Sequence, residues 1–436
     1  MRDHRPFRTV AARPARVRLA ALNVFTEGRE LPDGPAARLA RQAPPMHDRD
    51  ELIFLLHTAA EIEHMLLVQY LYAAYSTADT PLGRGAHDVL AGVAREEMGH
   101  LLCVQNLLIA LGGPLNFDLE DHPFNALYPF RFRLEPLSVG SLARYVLAEM
   151  PDPSVVPPEL NLDLAELEAD AGVGAGKGAV NRVGKLFELA EELAARMTQA
   201  DLRPAAAPFQ ADPTEWRAAA HHFVLDRVNA PDDLLRLLRE IGAQGEGPTE
   251  TPGVLPSHFR RFYDLYRTVK EVDPAARSDL AHLVPVDPTI YDDNAQGFLQ
   301  NHEAAEGADL GNHRLRWLFT ALSHHLQTDV PRERNALRRW AFEDMLALRD
   351  LSKVVTGLPQ HDPPQTDTTG RVRLAALPFA LPYTMALPTR RDDLWAHHAM
   401  LARHELVRME AWTGPAALKA LLTGQANSRL NFIVNL

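Results

Sequence analysis

Apolar residues recur three and four positions apart along much of the chain, and this spacing predicts amphipathic helices rather than strands. The first helix is predicted at about residues 50–76 and the second at about residues 85–111. Gly112, Gly113 and Pro114 follow the second helix in an order that is typical of a helix end. Because only a short turn separates the two segments, we expect them to pack as antiparallel neighbours.

The same spacing predicts a series of further helices, at about residues 142–149, 183–197, 216–228, 232–241, 258–272, 311–328, 332–356 and 392–422. A loop of roughly 25 residues precedes the first of these and is longer than a hairpin needs, so we expect it to cross over the end of a bundle. The sequence shows neither a run of alternating strands nor a repeat at solenoid spacing. It therefore predicts an all-α protein.

Proline-rich segments divide the predicted helices into three regions. Residues 1–47 are predicted to form an N-terminal arm rich in Arg and Pro. Residues 48–272 are predicted to form a helical bundle with an irregular insertion at about 152–178. Residues 273–436 are predicted to form an additional C-terminal helical region with a Pro-rich connection at about 358–388.

Three ionisable residues interrupt otherwise apolar helix faces. Glu63 lies in the middle of the apolar stripe of the first helix, and Glu97 and His100 share one face of the second. Inward carboxylates repel one another unless they are protonated or bridged by a cation. Metal ligation is therefore one interpretation, and a structural hydrogen-bond network is the other. Oxygen and imidazole ligands suit iron or manganese, while zinc and copper stay open.

Composition narrows the class of protein. A chain of 436 residues that is 46% hydrophobic can bury sizeable cores, and its net charge of −12 disfavours nucleic acid and acidic membranes as partners. No apolar stretch reaches the roughly 20 residues of a membrane span. The single cysteine, Cys103, excludes an intramolecular disulfide and fits a reducing compartment. We therefore expect a soluble, cytoplasmic protein.

Several other histidines stand next to a second histidine or an acidic residue. None of them has another ligand type at helical spacing within an apolar face, so the pattern predicts polar helix surfaces rather than metal sites. These positions are His221-His222, His302-Glu303, His324-His325 and His397-His398.

Several strings within about residues 48–272 carry a family resemblance. They are Ala60-Glu61-Ile62-Glu63-His64, 70–76, Glu96-Glu97-Met98-Gly99-His100, Leu111-Gly112-Gly113-Pro114, 183–188, Gln244-Gly245-Glu246-Gly247 and 257–262. These strings resemble the ferritin-like family typified by iminophenylpyruvate dimer synthase, from bisindole pigment pathways. The resemblance is most specific over the first two helices.

The resemblance implies a ferritin-like four-helix bundle with a long crossover and a metal site, usually di-iron. The ligands carried over are Glu63, Glu97, His100, Glu188, Glu246 and His258. A second Glu-x-x-His would need a carboxylate three residues before His258, where the chain has Leu255. Two alternatives follow: Glu246 supplies this carboxylate from the preceding turn, or the site holds a single metal. Two iron ions are the leading prediction, and manganese or a single iron is the alternative.

The implied function is oxidation of a small amino-acid-derived molecule, such as an imine of specialised metabolism, by dioxygen or peroxide. Two other hypotheses stay open. The chain could bind metal without catalysis, as in iron handling, or it could be a helical scaffold whose C-terminal region recruits a partner enzyme. Assembly into a homo-oligomer is compatible with each of these hypotheses.

Overall fold

The computed structural model describes residues 47–119, 133–173, 182–216, 224–247, 255–274, 276–382 and 384–436. Within these ranges the chain forms eleven α-helices, and β-structure is limited to isolated bridges. The predicted all-α fold class is therefore confirmed. None of the helices in this part of the chain combines the length and the apolar character that crossing a membrane requires.

The helices are numbered here in chain order. They are α1 Asp48–Ser76, α2 Pro81–Leu111, α3 Val139–Glu149, α4 Leu164–Ala171, α5 Val183–Ala194, α6 Pro231–Glu246, α7 His258–Glu271, α8 His302–His325, α9 Pro331–Thr356, α10 Arg391–Ala411 and α11 Ala416–Val434.

The first two helices form the predicted antiparallel pair. Helix α2 begins earlier than predicted, because Pro81 occupies its first turn and the side chain of Thr80 accepts a hydrogen bond from the amide of Gly83. It ends as predicted at Gly112, whose positive φ of 75° is a conformation that glycine adopts without strain.

Four helices surround the core of the bundle: α1, α2, α3 and α7. Helix α1 packs on α2, α2 packs on α7, and α7 packs on α3. Tyr70 of α1, Tyr145 of α3 and Phe262 of α7 close the ring, because the centroid of Tyr70 lies 4.9 Å from that of Tyr145 and 4.7 Å from that of Phe262. Helices α5 and α6 pack on each other and against α1 and α2. The short helix α3, rather than the predicted third helix at 183–197, therefore completes the bundle.

Several predicted elements differ from those observed. Helix α6 runs through Gly242 to Glu246 rather than ending at residue 241. The cost of its glycines is offset where they pack, since a Cβ at Gly245 would lie 3.3 Å from Oε2 of Glu149. The insertion at 152–178 contains helix α4. The helix predicted at 392–422 is two helices, since Trp412 ends the first and Pro415 caps the second.

Other predicted elements lie wholly or partly outside the described residues. The N-terminal arm lies outside almost entirely, as do His221 and His222. For the crossover, only the segments on either side of residues 120–132 are described. The residues of the predicted helix at 216–228 that are described are not helical.

The C-terminal helices share a core with the bundle. The ring of Phe319, on α8, lies 4.1 Å from that of His64 on α1 and 5.8 Å from that of Phe117. Buried apolar residues from Leu52 to Met385 belong to one contiguous cluster. The proposed boundary between residues 272 and 273 therefore lies within a continuous apolar contact.

A buried group of charges holds helices α8, α9, α10 and α11 together. Asp344 accepts hydrogen bonds from Arg314 at 2.7 Å and from Arg429 at 2.9 and 3.0 Å, and Arg314 also donates to Glu405. All four side chains are fully buried. The Arg429 guanidinium lies 4.1 Å from the ring centroid of Trp317. Two cations and two anions thus compensate one another inside the C-terminal region.

The histidines at 324, 325 and 398 are buried, so the prediction that they lie on polar helix surfaces was wrong. Trp317 donates its indole N–H to Nδ1 of His398 at 3.2 Å, and Nε2 of His398 lies 3.1 Å from Nδ1 of His324. Both rings contact Trp395. Hydrogen bonds and aromatic contacts satisfy these histidines in the interior. Periodicity alone could not show that such partners exist.

The burial of His324 and His398 should make the stability of the fold sensitive to acid. Burial, together with nearby cations, lowers the pKa of His324 to about 4, and burial next to His324 holds the pKa of His398 well below its ordinary value. The unfolded chain regains a pKa of about 6.5, so it binds more protons than the folded chain in this window. The free energy of unfolding should therefore fall as the pH drops from about 6.5 towards 4, by up to roughly 1.4 kcal/mol per unit for each group.

Denaturant titrations at pH 7 and pH 5 measure this loss. His398→Gln, which can still accept from Trp317, should lose less stability between the two pH values than the unsubstituted chain. His302→Gln is the control, because its side chain is 87% exposed on α8. An equal loss in all three proteins would contradict the assignment.

Candidate metal centre

The centre begins with the antiparallel contact between α1 and α2. This contact brings Glu63 of α1 beside the Glu97-x-x-His100 turn of α2, and all three side chains are buried. Nδ1 of His100 lies 3.0 Å from Oε2 of Glu97 and 3.4 Å from Oε2 of Glu63. One imidazole nitrogen therefore faces two carboxylates from neighbouring helices.

His258 joins the same group from the first turn of α7. Ser257 caps this helix by accepting a hydrogen bond from the amide of Arg260, and this cap fixes the direction in which His258 enters the bundle. Nδ1 of His258 lies 2.9 Å from Oε1 of Glu97. The two oxygens of Glu97 thus face two different histidines, whose ring centroids are 5.3 Å apart.

Glu149 supplies a carboxylate that the sequence analysis did not assign. It is the last residue of α3, is buried, and places Oε2 3.8 Å from Nδ1 of His258. Its other oxygen accepts a hydrogen bond from the hydroxyl of Tyr70 at 2.5 Å. The available signal was its spacing, because Glu149 shares a face with the apolar residues Leu142 and Val146.

Glu246 lies at the edge of the group, at the C-terminal end of α6. Its carboxylate accepts a hydrogen bond from the backbone amide of Gly184, in the first turn of α5. A negative group is favoured there by the helix dipole. Position 184 has no room for a side chain, because a Cβ would overlap the carboxylate of Glu246.

The structure does not bring Glu188 to the others. Its side chain is 63% exposed and forms an ion pair with Lys185 at 3.0 Å. Leu255 is also exposed, at 45%. Glu149 stands where a carboxylate near His258 was expected, and Glu246 lies near it across the cavity described below.

The electrostatics of the centre favour charged pairs. Burial alone would lower the pKa of His100, but Glu63 and Glu97 outweigh this effect and raise it to about 10. The pKa of His258 is likewise raised well above its ordinary value, chiefly by Glu97 acting against burial. Burial opposes ionisation of Glu97, yet His258 and His100 hold the pKa of its carboxyl well below the usual range.

The other carboxylates are shifted in the opposite direction. Burial and the nearby charge of Glu97 raise the pKa of Glu63 and of Glu149, and burial raises the pKa of Glu246. Three acidic side chains thus approach the two histidines while Glu246 lies at the edge of the group, and protons on the acids whose pKa is raised relieve the mutual repulsion. A cation bound among them would provide the same relief while keeping them ionised.

The donor atoms left over by hydrogen bonding fit a metal ion. Among the described residues, Oε2 of Glu63, Oε1 of Glu97 and Nδ1 of His258 are buried and form no well-directed hydrogen bond, although Nδ1 of His258 lies 2.9 Å from Oε1 of Glu97. One ligand atom each from Glu97, His100 and His258 lie within 4.8 Å of one another. Buried polar atoms of this kind are costly unless something satisfies them. Carboxylate oxygens and imidazole nitrogens without thiolate suit iron or manganese.

A small cavity lies against these atoms. Its volume is about 10 Å³ for the centre of a water-sized molecule, roughly what one water needs. One wall is acidic and polar, and the other consists of apolar or glycine positions on α5 and α6. The lining residues are Glu63, Leu66, Glu97, His100, Glu149, Val183, Gly184, Phe187, Ile241, Gly242, Gly245 and Glu246.

The outer nitrogen of each histidine has its own partner. Nε2 of His100 lies 2.9 Å from the amide oxygen of Gln244, on α6. Nε2 of His258 lies 3.0 Å from Oε2 of Glu96, which Arg261 contacts through both terminal nitrogens. Burial opposes ionisation of Glu96, but the hydrogen bonds from His258 and Arg261 lower the pKa of its carboxyl. Both rings are thereby turned with Nδ1 towards Glu97.

Comparisons with known proteins agree with the fold. The family description "Ferritin-like" matches residues 56–267, which include most of α1, all of α2 and α3, and most of α7. The ferritin-like resemblance seen in the sequence is therefore confirmed.

Two characterised enzymes are similar over part of the chain. Dichlorochromopyrrolate synthase of Lentzea aerocolonigenes is 32% identical over 141 residues, which cover 26% of this chain and 14% of that enzyme. The 2-imino-3-(indol-3-yl)propanoate dimerase of Chromobacterium violaceum is 32% identical over 146 residues, which cover 25% of this chain and 15% of that enzyme. The similarity thus spans only a small part of the length of either relative.

A solved structure of a ferritin-like protein from Caulobacter vibrioides is also similar. It has 17% sequence identity and a TM-score of 0.44, and the superposition covers 71% of this chain and 98% of that chain.

Proposed function

We propose that this chain is a metal-dependent oxidoreductase that oxidises a small amino-acid-derived molecule, such as an imine, at a carboxylate–histidine iron centre. The observation that carries the proposal is the arrangement of Glu97, whose two oxygens face His100 and His258. Glu63 lies beside His100, and Glu149 lies beside His258. Glutamates from two helices that meet a Glu-x-x-His pair are characteristic of the di-iron carboxylate proteins.

The proposed ligands form two sets. Glu63 and His100 would hold one ion, Glu149 and His258 would hold the other, and Glu97 would contact both. Glu246 would add a carboxylate from the cavity side. The proposal does not use Glu188, which forms an ion pair at the surface.

Iron at such a centre supplies one-electron redox chemistry with dioxygen or peroxide. The protein supplies ligand geometry, a buried environment, and space at the ligands for a molecule of the size of water. This space is too small for an amino-acid-derived imine. We therefore place the organic substrate at the margin of the cavity, between α5 and α6.

The choice of substrate rests on the two relatives. The name of one of them specifies an indolyl imino acid as the molecule that it dimerises. An imine formed by oxidation of an aromatic amino acid is therefore the first substrate to test on this chain.

Metal content and oxidant consumption test the proposal together. Protein purified without chelator, or reconstituted with Fe²⁺ under anaerobic conditions, is expected to retain up to two iron ions per chain. With an amino-acid-derived imine it should then consume dioxygen or peroxide. Failure to retain iron or manganese would refute the metal centre. Metal binding without oxidant consumption across a panel of imines would instead indicate a protein that binds iron without catalysis.

A further inference from the structure

The two histidines of the centre differ in the hydrogen-bond partner of Nε2, the ring nitrogen that points away from Glu97. His100 has the neutral amide of Gln244 at its Nε2, at 2.9 Å. His258 has the carboxylate of Glu96 there, at 3.0 Å. Each of the two ligand sets that face inward combines one histidine, one glutamate of its own and one oxygen of Glu97.

A carboxylate behind a histidine strengthens that histidine as a ligand. When the ring donates its outer N–H to an anion, the inner nitrogen becomes more basic and the ring orientation is fixed. An amide oxygen gives the same orientation with less charge. The outer partners therefore make His258 a better ligand than His100.

The position of Glu96 behind His258 is fixed by burial and by Arg261. Its side chain is 3% exposed, and Arg261 holds it from the same helix that carries His258. The two terminal nitrogens of Arg261 reach the two oxygens of Glu96, so the carboxylate plane is fixed relative to α7. Glu149 is fixed as well, because Tyr70 donates to it at 2.5 Å.

We infer that the two metal positions load in order, the His258 position first and the His100 position second, and that Glu96 with Arg261 sets this order. The inference rests on the proposed metal centre. Glu96 acts as a positioning residue through His258 and does not itself bind the metal. At a metal concentration between the two dissociation constants, the chain holds a single ion among His258, Glu149 and Glu97.

Titration of the metal-free chain with Co²⁺ tests the order, because its absorption reports coordination and calorimetry reports affinity. The unsubstituted chain should bind in two steps. His100→Ala should keep the spectrum seen at one equivalent, whereas His258→Ala should lose it. Glu96→Gln should weaken the first step about 10- to 100-fold, and Glu96→Asp should restore part of the loss. Gln244→Ala is the matched control and should weaken only the second step.

The titration distinguishes failure of the loading order from failure of the metal centre. Two steps of equal affinity, an early spectrum that survives His258→Ala, or a first step that Glu96→Gln leaves unchanged would overturn the order while leaving the metal centre intact. Absence of any Co²⁺ or Fe²⁺ binding would overturn the metal centre and the order together. If Glu96→Gln fails to fold by circular dichroism, the comparison of the two histidine variants decides alone.

Discussion

Glu97→Gln is expected to abolish metal retention at both positions of the centre. Glu97 is the residue that faces both histidines, so its replacement removes a ligand from each set at once. Removing a partner behind a ligand costs about 10- to 100-fold in metal affinity, and loss of a shared ligand should exceed this range. Metal analysis after desalting measures the loss, and circular dichroism shows that the helices persist.

Glu188→Gln is the matched control for this experiment. It makes the same chemical change at a ligand that the family resemblance implied, but at a side chain that pairs with Lys185 at the surface. It should retain metal at the level of the unsubstituted chain. If both variants retain as much metal as the unsubstituted chain, Glu97 is not a ligand. If only Glu188→Gln loses metal, Glu188 on α5 is a ligand and Glu97 is not.

Asp344→Ala should destabilise the chain by about 3–5 kcal/mol, because it leaves Arg314 and Arg429 buried with too little negative charge. Asp344 is the side chain that both arginines contact, and its exposure is 0%. Removing one member of a buried ion group costs far more than the group contributes relative to an apolar core. Urea unfolding, followed by circular dichroism, gives the difference in the free energy of unfolding.

Asp350→Ala provides the comparison on the same helix. Asp350 forms an ion pair with the neighbouring Arg349, and both side chains are substantially exposed. Pairs of this kind contribute about 0–1 kcal/mol. Equal destabilisation by the two substitutions would show that the buried group does not depend on Asp344. A lower free energy of unfolding in Asp344→Ala alone would support the role of Asp344 in the buried group.

Much of the fold followed from periodicity, because long amphipathic helices leave a strong pattern. The bounds of α1, the end of α2 and the bounds of α7 agree with those expected. The bounds that were wrong lie where tertiary contacts outweigh local preference. In α6, Gly245 does not end the helix as glycine often does, and instead allows close packing against Glu149.

The centre was predictable to the extent that each side chain interrupts an apolar face. Glu63, Glu97 and His100 do so, and the structure places them together. Glu149 does so as well, but α3 is short and follows a long loop, so nothing in the sequence assigned it to the bundle. Glu188 was expected at the centre but does not lie there, for a different reason. Periodicity gives the apolar face of α5, yet which edge of that face meets the ligands depends on how α5 packs against α1.

The shared apolar core has a practical consequence for designing fragments. Tyr72 of α1 donates to the carbonyl of Pro285, and the backbone amide of Met385 donates to Asp118 at 2.6 Å. A protein truncated after residue 272 would lose both contacts and would uncover the surface of His64 on which Phe319 packs. Expression of the ferritin-like segment alone should therefore give aggregation-prone material. Reconstitution and kinetics need the chain with its C-terminal helices attached.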